Sequence, residues 1–173
     1  MDDSLLTEVR GHAAILTLNR SDKYNALSDE LLRAIGDKVG ELDTDDAVRG
    51  IVLTGTDKFF STGADLDSAL RAQDLPSTHA MLAHFDYCNR AIERSRKPVV
   101  AAINGFCLTG GLEVALACDV RIAGTGSKFG VTSSKIGSVA GAGGTQRLPR
   151  TVGREWAKDL LFSADFIDAE TAL

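Results

Sequence analysis

The strongest constraint on this chain is its rhythm. Short apolar runs of four to six residues alternate with longer segments whose apolar residues recur at helical spacing. Leu5 to Arg10 and Ala13 to Leu18 flank Gly11-His12 and read as an opening β-hairpin. Ser28 caps a helix with Asp29 and Glu30 in its first turn, and Leu31, Leu32, Ile35, Val39 and Leu42 form its apolar stripe. Gly50 to Thr54 reads as a buried strand, Val99 to Ile103 as another strand and Val120 to Ala123 as a further short one. Ala80 to Arg94, Leu112 to Ala117 and Glu155 to Ser163 read as helices, and Asp168 as the cap of a last one. Pro76 to Thr78 reads as punctuation and Phe59 to Leu66 as a loop. Alternating strands and helices predict an α/β fold. No Pro/Gly/Ser-rich linker or repeat divides the chain, so residues 1–173 are expected to form one domain.

Glycine is distributed unevenly. Of 17, 11 lie between Gly105 and Gly153, which points to tight turns and close backbone approach there. Other bulk features exclude whole classes. Nineteen Lys plus Arg against 24 Asp plus Glu leave a net charge of −5, which argues against a nucleic-acid binder. No run of about 18 apolar residues suggests a membrane span. The first ten residues, with Asp2, Asp3, Glu8 and Arg10, do not resemble a secretory leader. Cys88, Cys107 and Cys118 are an odd number without metal-ligand spacing, and His12, His79 and His84 form no ligand motif. A cytoplasmic protein without a metal site is expected.

Two stretches have the makings of a site. In Thr109-Gly110-Gly111-Leu112-Glu113, glycines at a helix start let a ligand approach N–H groups that have no intrahelical acceptor. Such donors suit a carbonyl oxygen that gains negative charge. Glu113 lies one turn further along, within reach of the same space. By itself this stretch is better explained by helix packing with an ordinary acidic residue in the first turn. In Ser61-Thr62-Gly63-Ala64-Asp65-Leu66, the Ala64 N–H is a second candidate donor, whereas Asp65 reads as a cap for the next segment. Gly141-Ala142-Gly143-Gly144-Thr145-Gln146-Arg147 lacks the P-loop ending and dinucleotide spacing, and reads as a structural turn. A G-x-S-x-G nucleophile elbow is absent.

Together, NRSDKYNAL (19–27), FSTGADL (60–66), KPVVAAING (97–105), GGLEVALAC (110–118), DVRIA (119–123) and GAGGTQRLPRTVG (141–153) resemble the crotonase, or enoyl-CoA hydratase/isomerase, family, in family order. The resemblance implies a crotonase-like spiral of β-β-α units assembled as homotrimers or homohexamers. It implies acyl-CoA thioester substrates, with coenzyme A arriving as part of the substrate and no separate cofactor. It places an oxyanion hole at the Ala64 and Gly110 N–H groups, and the pantetheine arm beside Tyr24 to Ala26 and Ala64 to Asp67, so that Tyr24, Ala26, Asp65, Leu66 and Asp67 become binding candidates. Glu113 matches the first of the family's two catalytic glutamates. Ser133 stands where the second is expected, and Thr109 and Ala140 replace a usual glycine and proline. The family's C-terminal helical part is expected to be missing from these 173 residues. An enoyl-CoA hydratase-like lyase is the leading expectation. A double-bond isomerase, or a non-catalytic acyl-CoA binder, is the alternative raised by Ser133.

Overall fold

The structure, a computed structural model, describes residues 3–173. It opens with the expected hairpin: β1 (Leu5–Arg10) pairs antiparallel with β2 (Ala13–Leu18), Leu5 opposite Leu18 and Arg10 opposite Ala13. Along β2 every second residue is buried, Ala14, Leu16 and Leu18 facing the core, as the period of two requires. Helix α1 (Asp29–Thr44) starts where Ser28 Oγ accepts the Leu31 N–H at 3.3 Å. All five residues of its predicted stripe are buried.

From β3 onward the chain winds as a spiral. Each turn sends one strand to each of two sheets and then a helix across them. Strands β3 (Gly50–Thr54), β5 (Val99–Ile103) and β7 (Val120–Ala123) extend the hairpin into a sheet of order β1-β2-β3-β5-β7, parallel from β2 onward. Strands β4 (Phe59–Ser61), β6 (Phe106–Leu108) and β8 (Lys128–Gly130) form a parallel second sheet. Its far edge is β9 (Ile167–Asp168), antiparallel to β8. The intervening helices are α2 (Leu66–Arg71), α3 (Leu75–Arg94), α4 (Gly110–Ala117), α5 (Gly144–Val152), α6 (Arg154–Ser163) and α7 (Ala169–Ala172). This is the expected α/β architecture of β-β-α units.

Several local expectations are corrected. Phe59 to Leu66 is not all loop, since Phe59–Ser61 is β4. Strands β6 and β8 went unread because three residues are too few to show a period. Helix α3 begins at Leu75 rather than Ala80. Asp74 and Ser77 form a reciprocal capping box there, and Pro76 occupies the first turn, where its missing N–H costs nothing. Helix α5 was hidden by Pro149 inside it. Asp168 does cap α7, its carboxylate accepting the Thr171 N–H at 2.9 Å.

All eight residues of α4 are buried, an apolar helix enclosed on every side. Its two termini therefore lie inside the protein, which matters for the chemistry below. No helix among the described residues is long and apolar enough to cross a membrane.

Candidate active site

The spiral brings the Ala64 turn, at the end of β4, against the start of α4. Leu27 and Ala64 form an isolated parallel bridge: the Leu27 N–H donates to Gly63 O at 2.7 Å, and the Asp65 N–H donates to Leu27 O at 3.0 Å. The N–H of Ala64, between these two, is left over. The N–H of Gly110 is the first of α4 and has no intrahelical acceptor. Neither donates to any group among the described residues. The two are neighbours. A Cβ built on Gly110 would lie 3.3 Å from Ala64 N, and one built on Gly63 would lie 3.1 Å from Gly110 N. The Phe85 ring closes the same space, 2.9 Å from the Cβ position of Gly110. Any side chain at 110 would thus fill the gap between the donors and strike the ring.

Thr109 caps α4 in an unusual conformation, with φ 47° and ψ −116°. A β-branched residue there carries strain of about 1–3 kcal/mol, tolerable only where neighbours fix it. Here the Thr109 N–H donates to Gly130 O at 2.9 Å, and its hydroxyl shares a 2.9 Å hydrogen bond with the Thr132 hydroxyl. This ties the 3₁₀ turn of residues 132–136 to the start of α4. Ser133 lies in that turn and is buried, and its hydroxyl has no hydrogen-bond partner among the described residues.

Glu113 is 3% exposed, on the first turn of α4. Its Oε1 accepts the Gly144 N–H, at the start of α5, at 2.7 Å. A Cβ on Gly144 would sit 2.9 Å from that same oxygen and 2.8 Å from the Ala140 methyl, so the carboxylate seat exists only because residue 144 has no side chain. Burial raises the Glu113 carboxyl from 4.5 to about 7, against the Gly144 and Ala142 N–H groups and the Arg147 charge, which pull it down. A carboxyl titrating near neutrality can both take and return a proton.

The binding candidates divide into two groups. Tyr24, Leu66 and Asp67 are exposed, and Ala26 is half-buried beside them. Asp65 is buried and committed internally: Arg20 Nη1 lies 2.8 Å from its Oδ2, and the Asp67 N–H donates to its Oδ1 at 2.9 Å. Burial alone would raise the Asp65 carboxyl, but these partners hold it below the usual range. The same Arg20 donates to Ala26 O at 2.6 Å, while Asn25, fully buried at φ 53°, accepts the Arg20 N–H and donates to Phe59 O, each at 2.8 Å. Asp65 thus fastens the Tyr24–Ala26 loop to α2, the structural role its residue type suggested. The sequence assigns Arg20, Asn25, Phe85 and Thr132 no site role of their own, because each acts through a contact with a residue distant in the chain. A cleft of about 930 Å³ lies on another flank of α4, between Leu112, Leu116, Leu148, Trp156 and Leu160, and includes none of these candidates.

The two-sheet β-β-α spiral is a crotonase-type fold. The chain belongs to the enoyl-CoA hydratase/isomerase family, whose model matches residues 8–173. It is 38% identical to the short-chain-enoyl-CoA hydratase of Clostridium acetobutylicum, over 99% of this chain and 66% of that protein. It is 40% identical to the crotonyl-CoA hydratase of Syntrophomonas wolfei, over 98% of this chain and 65% of that one. The Pseudomonas aeruginosa DspI structure superposes with a TM-score of 0.93 at 37% identity, over 98% of this chain and 69% of that chain. The chain spans about two thirds of the length of the curated relatives it matches.

Proposed function

We propose that the protein is an enoyl-CoA hydratase-like lyase acting on acyl-CoA thioesters. The reading rests above all on one observation: two unpaired backbone N–H groups lie side by side, one helical turn from a buried carboxyl that titrates near 7. The thioester carbonyl oxygen accepts from the Ala64 and Gly110 N–H groups. As the acyl group takes on enolate character, charge develops on that oxygen. Donors fixed in place beforehand stabilise it without reorganising. The dipole of α4 adds positive potential at the same point. Glu113, ionised, takes a proton from water as the water adds to the β-carbon. The protonated Glu113 carboxyl then gives its proton to the α-carbon, which completes hydration and leaves Glu113 ionised again. Ser133 has no charge to offer near pH 7 and acts at most by holding the water.

Tyr24, Ala26, Leu66 and Asp67 border the pantetheine arm, with Asp65 holding that border in shape. Residues 1–173 act as one crotonase-like core. Coenzyme A enters with the substrate and no further cofactor takes part. Homotrimeric or homohexameric assembly and a cytoplasmic location complete the proposal. The names of the hydratase relatives support the substrate class and reaction.

Loss of conjugated-thioester absorbance with a short 2-enoyl-CoA tests this reading. Turnover by the wild type that collapses in Glu113→Gln is expected; equal rates for the two overturn it. Ser133 in place of a second carboxylate favours isomerisation as the second reading, because one acid/base suffices to move a proton between carbons. Gain of conjugated product from a 3-enoyl-CoA, without hydration, decides for it.

A further inference from the structure

The turn that seats Glu113 is itself held from behind. Ala142 O accepts from two side chains, Asn89 Nδ2 and Arg147 Nη1, each at 2.9 Å. Arg147 is in turn anchored by Glu93 on α3, whose Oε1 accepts from its Nε at 2.7 Å. The guanidinium passes so close to the turn that a Cβ on Gly143, at φ +103°, would fall 1.8 Å from Arg147 Nη1. Only glycine allows both that backbone and that contact. Gly144 and Arg147 stand three residues apart on α5, so the donor to Glu113 and the cation behind it share one side of a helix.

We infer that Arg147, pinned by Glu93, is a positioning residue for Glu113: it fastens the Ala142–Gly144 turn against the carboxylate and keeps a positive charge beside it. The inference rests on the acid/base role proposed for Glu113. The pair is suited to the task. The Glu93 hydrogen bond raises the Arg147 pKa further, so the guanidinium remains charged across any working pH. Its side chain is 19% exposed, so its field is less screened by water than that of a surface pair.

Other groups around Glu113 do not duplicate this function. The elements packed most closely on α4 are α3, α5, β4 and β6, and β7 adds Arg121, which donates to Ala115 O further along the helix. Strands β4 and β6 carry no charged side chain, and the Cys107 thiol of β6 is kept neutral by burial, as is Cys88 of α3. Helix α3 brings His79, His84, Asp86, Tyr87, Arg90, Glu93 and Arg94, and α5 brings Arg147 and Arg150. Among them, Arg147 is the charge that pulls the Glu113 carboxyl down.

The test follows the Glu113 carboxyl by ¹³C NMR titration of the free protein, in the wild type, Arg147→Gln and Arg147→Lys, beside the pH profile of kcat/KM for a short 2-enoyl-CoA. Arg147→Gln is expected to move the ionisation upward, because one influence favouring the carboxylate is gone. Its kcat/KM is expected to fall several-fold near pH 7, within roughly the tenfold that one unit of displacement allows, and to recover in alkali. Arg147→Lys keeps the charge and restores most of the titration. A folded Arg147→Gln that titrates as the wild type does overturns the inference. Arg147→Met, which keeps the aliphatic packing, replaces Gln if that variant does not fold. Because the titration needs no turnover, an upward shift in a protein that hydrates nothing would uphold the positioning role and refute the hydratase reading instead.

Discussion

Helices α4 and α5 both begin inside the protein, close to each other, and their first N–H groups meet different fates. At α5 the Gly144 N–H is occupied by the Glu113 carboxylate of the protein itself. At α4 the Gly110 N–H is bare, as is its neighbour at Ala64. Both ends have the same electrostatic character, since unpaired N–H groups and the helix dipole favour negative charge. The filled end keeps a carboxylate in place at the cost of burying it. In the proposed function, the bare end keeps its capacity for a charge that exists only during reaction. A buried donor without a partner costs roughly 1–3 kcal/mol, a cost that the proposed thioester oxygen would offset when it binds.

The comparison is broken most severely at the filled end. Glu113→Gln is expected to reduce hydration by about 10²- to 10⁴-fold, the usual contribution of a positioned acid/base, measured as kcat/KM on a 2-enoyl-CoA. At the bare end, Gly110→Ala places a methyl against the Phe85 ring and 3.3 Å from Ala64 N. It is expected to cost kcat about 10²-fold, the typical effect of losing one oxyanion donor, with Glu113 still titrating as before. Gly144→Ala attacks the seat rather than the acid. Its methyl would meet Glu113 Oε1 at 2.9 Å and the Ala140 methyl at 2.8 Å. A destabilisation of about 1–3 kcal/mol is expected in chemical denaturation.

The smallest effect sharpens the comparison through pH. The folded-state pKa of Glu113, about 7, lies above its ordinary 4.5. Between these values the folded chain binds the proton more tightly than the unfolded chain, so ionising Glu113 erodes stability as pH rises from 4.5 to 7, with the full loss above 7. Glu113→Gln avoids that loss. It is expected to be more stable than the wild type by on the order of 2 kcal/mol at pH 8, and no more stable near pH 4. A variant that loses activity while gaining alkaline stability marks a functional carboxyl rather than a structural one.

Much of this was legible in the residues. The Ser28 cap, the α1 stripe and the opening hairpin follow from local rules that need no tertiary partner. Gly110 and Glu113 stood out as candidates because a glycine pair at a helix start is written locally, and Ala64 because STGADL leads from a strand towards a helix; the family resemblance gave them their expected roles. The Gly143-Gly144 pair was read only as a turn. Its contacts depend on Glu113 of α4 and Glu93 of α3 coming up against the turn and Arg147, and nothing in GAGGTQR encodes that approach. Strands β4, β6 and β8 escaped for a related reason: three residues form a strand when a neighbouring strand supplies the hydrogen bonds. Thr109 breaks a local preference outright, and its compensation lies 23 residues away at Thr132.

The central claim, that the bare donors at Ala64 and Gly110 receive a thioester oxygen, is tested most directly by isotope-edited infrared spectroscopy of a bound acyl-CoA labelled at the carbonyl carbon. Two N–H groups donating to that oxygen weaken the C=O bond, so the band is predicted to fall to lower frequency on binding and to move back towards the free value in Gly110→Ala. A bound thioester whose carbonyl band stays at the frequency of the free molecule would contradict the account.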